Sequence, residues 1–323
     1  VSVRPINPAI LGLGAYRPAS RLTNADLEAR LDTSDEWIVK RTGIKERRIA
    51  GPDDSLVAMG VDAGGKALAA AGVQPADVDL VIAVSCTAQS QIPGIGPRIA
   101  SGLGIPQAGS FDLNAGCAGF CYGLSTAADA VRSGNARRVL VVASERLTDW
   151  VDDDDRSIAI IFGDGAGAAL VGEPVDPIEG AGIGPVAWGS DGGAAETIEV
   201  RMRPDGRSFL EMQGSAVFRW ATTQLAPVAR RACELAGVPP EKLDAIALHQ
   251  ANLRITESIA RSLGAPQAIL ARDIVESGNT SGASVPLALS RLVDEGQVGS
   301  GSLVLLFAFG AGLTYAGQVV RLP

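Results

Sequence analysis

Two stretches of the chain are variations on one pattern. Residues 70–84 read AAGVQPADVDLVIAV, and residues 235–249 read LAGVPPEKLDAIALH. Each is a helix end, a Gly-Val turn, a proline, an aspartate and then an apolar strand. Ala71-Gly72-Val73 matches Ala236-Gly237-Val238 at an offset of 236 − 71 = 165. The apolar runs Val139 to Ser144 and Leu303 to Ala308 match at 303 − 139 = 164, and each follows a helix that ends on a glycine, Gly134 and Gly296. Several matches in one order and at one offset mean a duplicated α/β unit.

The periodicity predicts helices over 54–72, 93–103, 117–133, 215–236, 251–264 and 283–295. It predicts buried strands over 79–85, 138–144, 244–248 and 302–308. A strand that is apolar on both faces is buried on both, so helices must cover each side of each sheet. The region 173–213 reads as irregular. No Pro/Ser-rich linker separates the repeats, so halves 1–173 and 174–323 are expected to pack as one unit. The 46% of apolar residues suffices for a large core, but aromatics are only 4%, so Val, Leu, Ile and Ala must fill it. Helix 117–133 is apolar or small nearly all round, which predicts burial on every side.

Several function classes drop out. A net charge of −8 disfavours nucleic acid as a partner, because that binding rests on neutralising phosphates. The aspartates 152–155 read as a solvated loop. No run reaches the roughly 18 apolar residues of a membrane span. The start of the sequence lacks a charged segment followed by an apolar one, so no signal peptide is expected. The cysteines Cys86, Cys117, Cys121 and Cys233 fit neither a disulfide framework nor a zinc spacing. With one histidine in the chain no metal site is expected, and the cysteines read as reduced and cytoplasmic.

Four places can carry chemistry. Cys117 follows the turn Asn114-Ala115-Gly116 and opens a buried helix, where the positive end of the dipole and unpaired N–H groups favour thiolate and lower the pKa. The alternative is a small buried hydrophobe, which is the reading for Cys86, Cys121 and Cys233. His249 ends a strand, and functional groups gather beyond the carboxyl ends of strands in α/β sheets; a structural histidine is the alternative. Asn279 lies in the turn SGNTSGAS before a helix, as a functional amide, a turn residue or a cap. Gly310-Ala311-Gly312 can offer a backbone donor to an oxyanion or can be a plain hairpin turn. The run Gly163 to Gly167 imitates a dinucleotide loop, but a strand follows it, so it is expected to be a tight turn between strands.

The stretches DTSDEWIVKRTGI (32–44), DLNAGCAGF (112–120), FGDGAGAA (162–169), HQANLRI (249–255), GNTSGAS (278–284) and FGAGLT (309–314) together resemble the β-ketoacyl-acyl-carrier-protein synthase III family. They span nearly the whole chain in the family's order. The resemblance implies a thiolase-like α/β fold of two halves in five layers, αβαβα, in a homodimer. It implies that Cys117 accepts an acyl group from acyl-CoA. His249 and Asn279 would bind the thioester oxygen of malonyl-acyl-carrier protein, and the N–H groups of Cys117 and Ala311 would form an oxyanion hole. Many relatives have glycine in place of Ala311. No cofactor is implied beyond the coenzyme A thioester used as substrate. The resemblance assigns Trp37, Arg41, Arg156, Gly214, Phe218 and Asn252 to coenzyme A. It assigns Ile92 (from a neighbouring subunit), Leu147, Phe162 and Phe309 to the primer pocket. Arg219, Arg254 and Arg261 would dock the carrier protein. Ile92, smaller than the Phe of some relatives, is expected to admit longer or branched primers. The retained Cys–His–Asn set separates the chain from the Cys–His–His elongating synthases and from non-catalytic partner subunits; polyketide priming and non-decarboxylating condensation stay open as alternatives.

Overall fold

The computed structural model describes residues 7–174 and 182–323. The expectation about how the chain begins, and part of the stretch 173–213, lie outside those residues. In chain order the first half contains β1 (Ala9–Tyr16), β2 (Ser20–Thr23), α1 (Asn24–Glu28), α2 (Asp35–Thr42), β3 (Glu46–Ile49), α3 (Leu56–Ala71), β4 (Leu80–Val84), α4 (Ile95–Gly102), β5 (Gly109–Leu113), α5 (Gly119–Arg132), β6 (Arg138–Arg146), α6 (Arg156–Ala159) and β7 (Asp164–Gly172). The second contains β8 (Gly182–Ile183), β9 (Ala187–Ser190), β10 (Ile198–Met202), β11 (Ser208–Met212), α7 (Gly214–Leu235), β12 (Ala245–Leu248), α8 (Leu253–Leu263), β13 (Ile269–Leu270), α9 (Ile274–Ser277), α10 (Ser284–Asp294), β14 (Leu303–Gly310) and β15 (Thr314–Arg321).

The repeat in the sequence is a repeat in space. One sheet has the order β5-β4-β6-β7-β1 and the other β13-β12-β14-β15-β8, with β9 also on β15. In each, three parallel strands are followed by an antiparallel neighbour. Even the register recurs: Leu80 pairs with Val139 and Ala245 with Val304, so 245 − 80 and 304 − 139 both give 165. The two Gly-Val turns share a conformation, with φ of 64° at Gly72 and 65° at Gly237, the left-handed region that glycine enters without a Cβ penalty.

Strand periodicity distributes the apolar side chains. Val81 and Ala83 of β4 pack outward with α3 and α4, while Ile82 and Val84 face inward onto α5. Likewise Ile246 and Leu248 of β12 join α7 and α8, whereas Ala245 and Ala247 face α10 and α5. The layers are therefore α3/α4, sheet, α5/α10, sheet, α7/α8. The middle helices touch both sheets, which is why helix 117–133 is apolar nearly all round.

Two expectations are corrected. The run after Gly163 is no turn: Asp164 to Gly167 lie inside the buried strand β7. Its glycines admit neighbouring backbone, since a Cβ at Gly163 would lie 2.3 Å from the Ser277 carbonyl and one at Gly167 would lie 2.8 Å from Pro286 of α10. Nor is the described part of 173–213 irregular. It forms β8 and β9 on the second sheet and the hairpin β10–β11. Alternating exposure left these short strands without an apolar signature.

Leu124 of α5 is fully buried between the sheets. Leu124→Ala is expected to cost about 2–5 kcal/mol. It should appear as a lower urea midpoint at unchanged slope; an unmoved midpoint would mean that the middle layer is not close-packed there.

Candidate active site

The N-terminal ends of the two middle helices lie together. Helix α5 starts at Gly119, two residues later than the pattern indicated, so Cys117 sits in the turn just ahead of it. Gly116 makes that turn with φ of 53°. Gly310, at the end of β14, packs directly under the thiol: a Cβ there would lie 2.9 Å from Cys117 Sγ and 3.1 Å from its N. The backbone N–H groups of Cys117 and Ala311 lie close enough to the sulfur to favour its thiolate form. The chain passes from Gly310 through Ala311 into the hairpin to β15. The turn is thus both a hairpin and a source of a backbone donor.

His249 follows β12, and its ring meets Phe309 edge to face, with centroids 5.3 Å apart. Nδ1 lies 2.7 Å from the Ser284 hydroxyl, the first residue of α10. Ser284 Oγ also accepts from the Gln250 N–H at 3.3 Å. With the hydroxyl proton directed to Nδ1, Nδ1 is the acceptor and the ring proton is assigned to Nε2. Asn279 is buried, and its Oδ1 accepts from the Ser281 N–H at 2.9 Å. That bond turns the amide so that its Nδ2 end is the one available.

Burial governs the electrostatics. It pushes the His249 pKa down to about 3 against the opposing pull of a hydrogen bond to the Ser281 backbone, so the ring is neutral at physiological pH. It pushes the Cys117 thiol up to about 11, while the Ser281 hydroxyl and the two backbone donors pull the other way. The expected lowering by the helix terminus is therefore corrected: desolvation of the thiolate outweighs the donors around it. Glu145, at the inner end of β6, is also raised by burial. It accepts from Ser85, from Thr87 and from the N–H groups of Cys86 and Gly282.

Cys117, His249, Asn279 and Ser281 line a cavity of about 1120 Å³ with Leu147, Phe162 and Phe309. Its wall also carries Arg41, Gly214, Phe218 and Asn252. Asn252 caps α8 through the Arg254 N–H and donates to the Arg41 carbonyl, so it ties α8 to α2. The hairpin β10–β11 covers one side with Ile198, Leu210 and Met212. Trp37 and Arg156 stand together outside the lining, the guanidinium 4.9 Å from the ring centroid, with Arg41 at 5.3 Å on the same ring. Arg219 and Arg254 reach the wall, and Arg254 lies over Phe218 at 4.9 Å; Arg261 is exposed on α8 and does not line it. Ile92 is outside the lining and 91% exposed. Sequence reasoning missed Cys86, Glu145 and Ser281. Cys86 follows the carboxyl end of β4, the same signal that singled out His249. Ser281 stands inside the motif that singled out Asn279. Among the described residues no cluster of three or more His, Cys, Asp or Glu could hold a metal ion. No helix among them is long and apolar enough to cross a membrane.

A duplicated five-layer α/β body with Cys, His and Asn around one cavity defines a condensing acyltransferase of the thiolase-like class. Residues 111–192 match the family model 3-oxoacyl-[acyl-carrier-protein] synthase III, and 233–322 match its C-terminal model. The chain is 50% identical over 314 residues to beta-ketoacyl-[acyl-carrier-protein] synthase III 4 of Streptomyces coelicolor, covering 97% of this chain and 98% of that one. It is 47% identical over 328 residues to the mycobacterial synthase III of Mycobacterium avium, covering 99% and 97%. Among solved structures, the priming β-ketosynthase of the R1128 polyketide biosynthetic pathway superposes with a TM-score of 0.94 at 46% identity, covering 100% and 99%. The chain belongs to the β-ketoacyl-acyl-carrier-protein synthase III family.

The chain has a single histidine, so untagged protein gives one imidazole NMR signature. Because the folded pKa is far below the ordinary value, that ring is expected as the neutral Nε2–H tautomer, with no titration between pH 5 and 9. A titration near pH 6.5 would show a solvated ring and remove the donor assignment.

Proposed function

We propose that this enzyme initiates acyl-chain synthesis by condensing an acyl-CoA primer with malonyl-acyl-carrier protein, through an acyl group on Cys117. In the first half-reaction Cys117 sulfur attacks the primer thioester. The carbonyl oxygen takes up negative charge against the N–H groups of Cys117 and Ala311, and coenzyme A leaves as the thiol with the proton that Cys117 gives up. One such donor can be worth roughly 10²–10³ in rate. In the second half-reaction the malonyl thioester oxygen lies between His249 Nε2–H and Asn279 Nδ2. Carbon dioxide leaves, the enolate carbon attacks acyl-Cys117, and the thiol is restored after protonation. Two neutral hydrogen-bond donors suit that enolate, and no resident cofactor enters the scheme.

The observation that carries this reading is the convergence of Cys117, His249 and Asn279 on one cavity from three separate segments. The coenzyme A assignment is supported by Trp37, Arg41 and Arg156 grouped at the surface beside it. An adenine stacked on both sides needs roughly 7 Å between its neighbours, so Arg156 would swing off the Trp37 ring as the nucleotide enters. Arg219 and Arg254 at the wall, with Arg261 two turns along α8, offer an acidic carrier protein a local positive face on a chain of net charge −8. The primer chain would lie among Leu147, Phe162 and Phe309. Four free cysteines support a reducing, cytoplasmic setting.

A homodimer is proposed from the edge of the first sheet. Strand β5 pairs on one side only, Phe111 on it is 40% exposed, and Ile92 nearby is 91% exposed. An open edge of this kind is a template for another copy, whose cavity Ile92 could then reach. Sedimentation equilibrium should give twice the 33.1 kDa chain mass. A monomer at micromolar concentration would sink this and the role of Ile92.

The test of the reaction is intact-protein mass spectrometry after brief exposure to a panel of acyl-CoAs. One acyl adduct on the native chain and none on Cys117→Ala is the expected result, followed by its loss when malonyl-carrier protein is added. No adduct with any acyl-CoA would overturn the reading. The likeness to a polyketide priming synthase favours a second reading of the pathway; a preference for isobutyryl- over acetyl-CoA would support it, and equal rates would remove the size expectation for Ile92.

A further inference from the structure

The duplication that built the fold gives Cys117 a counterpart. Adding the repeat offsets of 164 and 165 to the nucleophile reaches Ser281 and Gly282, which precede the middle helix α10 as Cys117 precedes α5. The serine meets the nucleophile: Ser281 Oγ donates to Cys117 Sγ at 3.4 Å. The same serine reaches a second group through a different atom: its N–H holds Asn279 Oδ1 at 2.9 Å. It is fully buried, and its φ of 49° is a left-handed conformation that a residue with a Cβ adopts at a cost. Backbone strain in a buried, fully engaged residue persists only where the surroundings over-determine it. Here they do: Gly282, the next residue, is tied through its N–H to Glu145 at 3.3 Å, and Cys86 Sγ lies 3.3 Å from Ser281 Oγ.

From these contacts we infer that Ser281 is a fourth catalytic residue. Its hydroxyl donates to Cys117 sulfur as that sulfur gains negative charge in acyl transfer, while its backbone N–H fixes the Asn279 amide for decarboxylation. The donor is needed because nothing cationic faces the sulfur. The titratable groups around it are Glu145 on β6, Cys86 after β4 and His249 after β12. A carboxyl group, a thiol and a neutral imidazole supply no positive charge. A hydrogen bond to a charged group is worth more than one between neutral partners, so its loss should slow thiolate chemistry about 10–100-fold.

This inference rests on Cys117 being the acyl carrier, and the test separates the two. Three rates are measured on native protein, Ser281→Ala and Ser281→Gly: acylation of Cys117 by acyl-CoA, alkylation of Cys117 by iodoacetamide across pH (located by peptide mapping), and decarboxylation of malonyl-carrier protein. Glycine relieves the strained φ, so Ser281→Gly remains informative if the alanine variant folds poorly. Acylation and alkylation are expected to fall about 10–100-fold more than decarboxylation in both variants, with the alkylation profile moved to higher pH. Native rates and an unmoved profile would overturn the proposal. So would an equal fall in all three rates, which would mark Ser281 as a general support. If native protein takes up no acyl group yet alkylation still depends on Ser281, the donor role stands and the acyl-carrier reading falls.

Discussion

The constraint on which the rest depends is that two sheets share one layer of helices. Each sheet has an apolar inner face, and one pair of helices, α5 and α10, covers both. A helix in that position must be apolar all round, and its ends become interior points. Unpaired N–H groups at such an end have no water to satisfy them, so side chains or a substrate must do so. The starts of α5 and α10 meet at the middle of the molecule, and the catalytic groups are gathered there. Strands β12 and β14 then deliver His249 and Gly310 to the same point from their carboxyl ends. The outer helices and the β10–β11 hairpin complete the wall without touching the sulfur.

A site built at the ends of buried helices is poorly solvated, and that shapes its chemistry. Desolvation raises the Cys117 thiol above its ordinary value, so the proposed chemistry leans on neutral donors. On the proposed reading these donors stand where charge will appear: the Ser281 hydroxyl at the sulfur, the Cys117 and Ala311 N–H groups at the first carbonyl oxygen, and an imidazole and an amide at the second. In a low-dielectric cavity these act strongly and need no reorganisation as charge develops. An imidazole kept neutral by burial donates from Nε2 at any physiological pH, so the second half-reaction does not depend on a protonation that acid would supply.

Much of this was legible in the sequence for a physical reason. The offset near 165 survives because both halves must make the same strand order and the same left-handed glycine turn, and those demands fix residue types at fixed spacings. Cys117, His249 and Asn279 stood out because each follows or precedes an element end. What escaped was of two kinds. The strands β9, β10 and β11 are half exposed and lack a continuous apolar run, so they read as loop. Cys86, Glu145 and Ser281 are ordinary residue types whose importance lies in what they face, and facing is set by the meeting of two segments 164 residues apart. The glycines of β7 misled because glycine usually marks a turn, whereas here its use is the close approach of α10. The reversed direction of the Cys117 shift has the same origin: position in the sequence reveals the helix terminus but not how little water reaches it.

Duplication also explains why the site is lopsided. A repeat with identical halves would place two equal groups at the two inner helix starts, and two thiols there would compete for one acyl group. Here one half presents Cys117 and the other Ser281 at the equivalent place. A hydroxyl is a poor nucleophile without a base, and no base stands beside it: Glu145 is occupied by its own donors, and His249 Nδ1 is taken by Ser284. Ser281 is thereby confined to donating. Its strained backbone fits that confinement, because φ of 49° is what lets one residue turn its N–H to Asn279 and its side chain to Cys117 together. On this inference the half without the nucleophile supplies a donor to it, and a symmetric fold carries an asymmetric site.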